Sequence, residues 1–128
     1  MVVADIDLEL YRRELLKGST ETLILSLLEE ESMYGYQLVR EIDQRSSGYF
    51  RLKEGTLYPA LHRLERDELV EGKWEGSLMG QSRRYYLLTP KGRDRLQSML
   101  REWDLFTKAV NLIARPVGAL ARGVLGSR

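Results

Sequence analysis

Glu54-Gly55-Thr56-Leu57-Tyr58-Pro59-Ala60-Leu61-His62-Arg63-Leu64-Glu65-Arg66 is the stretch that decides how this chain is read. Leu57, Leu61 and Leu64 recur at spacings of four and three, which puts them on one face of a helix. The other face carries Thr56, Tyr58, Pro59, His62, Arg63 and Arg66. Hydroxyl, aromatic and guanidinium groups in that mixture suit a nucleic-acid groove. An ordinary solvated helix shows the same two faces, so the segment alone leaves both readings open. Pro59 restricts where the helix begins, because an interior proline removes a backbone bond. With Thr56 as N-cap, Pro59 falls in the first turn, where no N–H partner is needed.

Beyond this helix the period changes from helical to extended. Residues 69–75 and 83–88 are strand candidates, and between them lies Gly76-Ser77-Leu78-Met79-Gly80-Gln81-Ser82. That is a β-hairpin with a longer loop. Both faces of the second strand are apolar, so either Tyr85 or Tyr86 faces inward. Thr89-Pro90 then starts a helix, Thr89 as N-cap and Pro90 at the first helical position. In that helix Leu96, Met99, Trp103, Phe106, Val110 and Ile113 are spaced 3, 4, 3, 4, 3, a heptad seam. The seam packs either on its own domain or on a second copy of the chain. Pro116 ends it.

Upstream, three further helices are expected. The first runs from Asp5 to Lys17, with Leu8, Tyr11 and Leu15 on one face and Gly18 at its end. So short an arm needs something to pack on. Ser19 or Thr20 caps the second, through Glu30, whose Leu23, Ile24, Leu25, Leu27 and Leu28 make it central and buried. The third opens at Met33-Tyr34-Gly35-Tyr36 and closes at Ser46-Ser47-Gly48, before a short extended segment over residues 49–52.

Composition limits the chemistry. The 128 residues include no cysteine and one histidine, His62. Disulfides and thiolate metal sites are therefore excluded, and neither a histidine-rich metal site nor a Ser-His-Asp triad is expected. No grouping has catalytic or metal-site spacing, so we expect neither an enzyme nor a cofactor. Acids interrupt the N-terminal segment and no apolar run reaches the length of a membrane span; the expectation is a cytoplasmic protein without a membrane partner. The formal net charge is +1, unevenly placed. Residues 1–31 hold eight acids and three bases, whereas residues 51–93 hold nine bases and six acids. Three more arginines follow in residues 114–128. The basic bias sits where an anionic partner would meet the middle of the chain.

The order of elements is mainly α with a small β-hairpin. It describes a winged helix-turn-helix with an N-terminal helical arm and a long C-terminal dimerisation helix. The expected divisions are residues 1–18 for the arm, 19–89 for the DNA-binding domain, 90–113 for the dimerisation helix and 114–128 for a flexible basic tail. Helix 54–66 would enter the major groove of double-stranded DNA, with Lys53, Thr56, Tyr58, Pro59, His62 and Arg63 at the contact. Lys73, Arg83 and Arg84, on the hairpin, would meet phosphates. The alternative is a winged-helix protein-interaction module that does not touch DNA.

Leu23-Ile24-Leu25, Tyr34-Gly35-Tyr36-Gln37-Leu38, Gly55-Thr56-Leu57-Tyr58-Pro59-Ala60-Leu61 and Leu64-Glu65 resemble the PadR family of bacterial transcription regulators. Arg84-Tyr85-Tyr86 and Leu88-Thr89-Pro90-Lys91-Gly92 continue the resemblance, which covers about residues 16–113. A single terminal helix looks like the short subfamily. The resemblance implies a homodimeric repressor on a palindromic operator. It also implies a dimer interface built from the arm (Leu8, Tyr11, Leu15) and the terminal helix (Leu96, Met99, Trp103, Phe106, Val110, Ile113). Some relatives take aromatic or drug-like effectors near a terminal-helix tryptophan. Trp103, with Phe106, stands at a comparable place, as an effector pocket or simply as filling of the dimer core. One departure is Glu68, where relatives often have glycine before the hairpin.

Overall fold

The chain divides into two compact units, a first running to Leu96 and a second from Gln97. The computed structural model describes residues 2–76 and 82–115, with residues 2–7 and Ser82 as backbone only. In chain order the elements are α1 (Val2–Lys17), α2 (Thr20–Glu30), β1 (Met33–Tyr34), α3 (Gly35–Arg45), α4 (Glu54–Arg66), β2 (Val70–Gly76), β3 (Ser82–Leu88) and α5 (Pro90–Ala114). The chain is mostly helical with a small antiparallel sheet, the winged-helix arrangement. No helix among the described residues is long and apolar enough to cross a membrane. The expected hairpin tip, residues 77–81, and all of the tail but its first two residues lie outside the described residues.

Helix α2 is buried over Ile24, Leu25, Leu27 and Leu28, as its all-round apolar sequence requires. Ser19 holds the N-cap position but makes no side-chain cap. Its hydroxyl instead donates to the Leu15 carbonyl (3.1 Å), and that of buried Thr20 donates to Leu16 (2.8 Å). These hydroxyls close the end of α1, where carbonyls lack helical partners.

The third helix starts later than its sequence suggests. Met33 and Tyr34 form a two-residue strand instead, paired with Tyr86 and Tyr85 of β3. The small sheet therefore has three strands in the order β1-β3-β2. A two-residue strand exists only through its partner, so local propensity gives no sign of it. Tyr86 is the inward tyrosine, 3% exposed, whereas Tyr85 lies edge-on to Tyr34.

Helix α4 also starts earlier than expected. Its N-cap is Lys53, not Thr56, and the N–H groups of Thr56 and Leu57 both donate to the Lys53 carbonyl at 2.9 Å. Pro59 is thus an interior residue. Its missing N–H leaves the Gly55 carbonyl without its helical donor. Gly55 lies at an open surface, with nothing within 4 Å of where its Cβ would stand, so water can serve that carbonyl. Leu57, Leu61 and Leu64 are buried as their spacing requires, joined by Ala60.

The exit of α4 is fixed by backbone bonds. Glu68 N–H donates to Glu65 and Leu69 N–H to Leu64, both at 2.9 Å. That pair of bonds with buried Leu64 and Leu69 is a Schellman closure, and it puts Glu68 in the left-handed region at φ 62°. The departure noted in the sequence is therefore a non-glycine residue in a conformation that favours glycine.

Thr89 caps α5 as its sequence indicates. Its hydroxyl accepts the Gly92 N–H (2.9 Å) and donates to the Glu68 carbonyl (2.7 Å). Gly92 lets the first turn of α5 close on β2's approach: a Cβ there would stand 2.0 Å from the Leu69 carbonyl oxygen. Leu96, one turn on, is fully buried within its own chain. It has no surface to offer a partner, so its place in the expected dimer interface is corrected. From Gln97 the helix exposes Trp103, Leu105, Phe106, Val110, Leu112 and Ile113.

Two substitutions test these junctions. Ala is the better helix former by about 1 kcal/mol, yet Gly92→Ala should destabilise the fold by about 1–3 kcal/mol, because the methyl overpacks against Leu69. Urea unfolding measures it, and unchanged or greater stability would contradict the close approach. Glu68→Gly should stabilise by up to about 1 kcal/mol, the left-handed strain relieved less the extra chain entropy of glycine. A lower unfolding midpoint would show that this turn is not strained.

Candidate nucleic-acid interface

Burying one face of α4 decides what its other face presents. With Leu57, Leu61 and Leu64 held in the core, Tyr58, His62 and Arg66 share the opposite side at spacings of four. All three are exposed, as are Thr56, Pro59 and Arg63. The hairpin stands beside them. Tyr58, His62, Glu65 and Arg66 of α4 and Trp74, Arg84 and Tyr86 of the strands line one open groove of about 760 Å³.

The side chains expected at the contact are not equally free. Lys53 and His62 are exposed with no ion pair among the described residues. Arg63 reaches across to Glu21 of α2, Nε to Oε2 at 2.9 Å. The two residues lie 42 positions apart, too far for any local spacing to pair them. Tyr58 leans on the start of α3, and a Cβ on Gly35 would meet its hydroxyl at 2.6 Å. Gly35 is what lets the tyrosine stand there half-exposed.

On the strands, Lys73 faces Glu71 at 3.4 Å. Arg83 lies 5.5 Å from the ring of Tyr34 and 5.6 Å from that of Tyr36, which stack on each other. Its Nη1 also donates to the Tyr36 hydroxyl at 3.5 Å, and Arg83 has no ion pair among the described residues. Tyr34 also bonds the Glu75 carboxylate, and that bond raises its phenol pKa above the ordinary value. Arg84 is the least free of the expected contacts: it bonds Glu65 of α4 and lies over Trp74. The bond to Glu65 raises the Arg84 pKa still further above its ordinary range. Burial, then Glu65, pushes the Tyr86 phenol up.

Sequence reasoning left Arg66, Trp74, Glu65 and the Tyr34–Tyr36 stack out of the candidate contacts. Arg66 was legible from its spacing after Tyr58 and His62. Trp74 had a weaker signal, a large aromatic on a strand beside the basic pair of the opposite strand. Trp103 and Phe106, the expected effector residues, are stacked at 5.9 Å and about half-exposed.

A family model described as the transcriptional regulator PadR-like family matches residues 24–98. The chain belongs to that family. A transcriptional regulator of Mycobacterium tuberculosis is 34% identical over 98 residues, covering 77% of this chain and 88% of the relative. The crystal structure of a PadR family transcriptional regulator from Eggerthella lenta is similar at a TM-score of 0.81 and 27% identity, over 91% of this chain and 99% of that one. A transcriptional regulator from Clostridium thermocellum gives 0.72 and 33%, over 77% and 95%. This PadR-like chain is thus a DNA-binding transcriptional regulator of a family of regulators, not of enzymes. The matched residues 24–98 include all of α4 and both hairpin strands, so the groove lies within the family domain.

Proposed function

We propose that this regulator is a homodimeric repressor in the cytoplasm, binding a palindromic operator through α4 of each copy. The observation that carries the reading is the exposed face of α4, with its aromatic, imidazole and guanidinium groups, set beside a hairpin bearing cations. Base contacts belong to Thr56, Tyr58, His62 and Arg63, with Pro59 at the same surface. Lys53, Lys73 and Arg83 reach phosphates, and Arg66 joins them. Arg63 exchanges Glu21 for DNA as it binds. Dimerisation rests on the apolar residues of two helices: exposed Leu8, Tyr11 and Leu15 of α1, and part-buried Met99 with exposed Trp103, Phe106, Val110 and Ile113 of α5. Leu105 and Leu112 widen the α5 stripe. An exposed row of this size on a small soluble chain marks an interaction surface. The stacked Trp103–Phe106 pair offers a flat aromatic surface, which suits an aromatic or drug-like effector.

A gel shift with the duplex upstream of its own gene tests DNA recognition. Tyr58→Ala or Arg63→Ala should weaken binding to that duplex by about 1–3 kcal/mol and leave random duplex nearly unchanged. Equal losses on both would end the assignment of base readout to α4, and no shift by folded wild type at low salt would end the function.

Light scattering tests the dimer. The wild type should have twice the chain mass, and Trp103→Ser with Phe106→Ser should raise the dimer dissociation constant at least about tenfold. A wild-type monomer would sink the dimer, and a double variant as tightly dimeric as wild type would move the interface elsewhere.

A further inference from the structure

Arg84 ties the hairpin to α4. It leaves β3, and its Nη2 meets the Glu65 carboxylate of α4 at 2.5 Å. Its guanidinium carbon lies 5.1 Å from the ring centroid of Trp74, the residue opposite it on β2. Room for this path comes from Gly72, two residues back on the same face of β2. A Cβ there would stand 2.7 Å from Arg84 Nε and 2.8 Å from its Cζ. Three elements therefore converge on one side chain, which is 28% exposed against 48% for Arg63.

The electrostatics point the same way. A carboxylate on the groove side of a DNA-reading helix repels phosphate. Glu65 lines that groove, and its presence there is accounted for by what it holds. Arg84, already neutralised by Glu65, has little charge left to release counterions from DNA. Its planar fork and aromatic stacking suit a fixed strut better than a mobile phosphate contact.

We propose that Arg84 is a positioning residue, clamped by Glu65, Trp74 and Gly72, that sets the hairpin against α4 so that both fit one DNA half-site. The proposal rests on the DNA-binding reading above. It reassigns Arg84 from the phosphate contacts and gives Glu65 and Gly72 roles at the interface without any contact to DNA.

The test measures affinity for the upstream duplex and for a random duplex of equal length over a salt series. The variants are Glu65→Ala, Arg84→Ala, both together, and Gly72→Ala, with thermal melting of each to confirm folding. Glu65→Ala should bind the upstream duplex about fivefold more weakly although it removes a negative charge. Arg84→Ala should lose about as much, with the slope of log K against log salt unchanged. The double variant should lose no more than either single one. Gly72→Ala, which alters no charge, should reproduce the loss. Tighter binding by Glu65→Ala overturns the proposal, and so does a slope flattened by about 0.9, one phosphate, in Arg84→Ala. If Arg84→Ala does not fold, Arg84→Lys decides. The clamp expects weakened upstream binding, because the fork is lost, whereas a phosphate contact expects binding retained. Wild type that binds neither duplex overturns the function and the proposal together. Wild type that binds, beside a tighter Glu65→Ala, overturns the proposal alone.

Discussion

The one-sided burial of α4 is the constraint on which the rest of the first unit depends. A helix turns about 100° per residue, so burying Leu57, Ala60, Leu61 and Leu64 leaves no rotational freedom. Tyr58, His62 and Arg66 then face outward together, and Glu65 faces the hairpin. Losing one of those leucines would cost about 2–5 kcal/mol, more than exposed polar contacts return. Apolar packing thus sets the orientation of the polar face, and the surface groups occupy positions it has already fixed.

The same constraint passes down the chain. The Schellman closure fixes where β2 begins, through Leu69. The Leu69 carbonyl in turn accepts from the Thr89 N–H and lies against Gly92. One short segment, residues 64–69, therefore places the hairpin and the start of α5 relative to α4. The left-handed Glu68 lies within that segment, just before Leu69. Its strain persists because two backbone bonds, a buried leucine pair and the Thr89 hydroxyl all determine it.

What the sequence shows and what it hides divide along locality. Helices α2, α4 and α5 were legible because a period of 3.6 is written in consecutive residues, and Thr89-Pro90 is a local stop and start. β1 was hidden because two residues carry no period, and only β3 makes them a strand. Pro59 misled for the opposite reason. The local rule against interior proline is sound, but it assumes a carbonyl that needs a protein donor, and Gly55 is open to water. From Trp103 onward the heptad residues are exposed, and a spacing does not say what covers them. Leu96 belongs to the same seam by number and to its own core by Gly92's close approach. At the interface the residue types on α4 were legible and their partners were not. Arg63–Glu21 and Arg84–Glu65 join residues 42 and 19 positions apart, and no periodicity encodes such pairs.

Those pairs shape how this surface meets a polyanion. Arg63, Arg66, Lys73 and Arg84 each have a carboxylate within 4.0 Å, from Glu21, Asp67, Glu71 and Glu65 respectively. The cations near the groove are thus largely answered from within the chain, in line with a net charge of only +1. Counterion release, the sequence-independent part of DNA affinity, scales with the phosphates actually neutralised. A surface that pairs its own arginines gains little from any duplex that fails to match its shape. A matching duplex replaces those carboxylates only where the geometry lets phosphate or a base edge compete. Exposed pairs such as Arg63–Glu21 are worth at most about 1 kcal/mol, so exchanging them costs little. If α4 and the hairpin meet DNA as proposed, the internal pairing lowers affinity for random DNA more than for a fitting site, and discrimination comes from their fit rather than from charge.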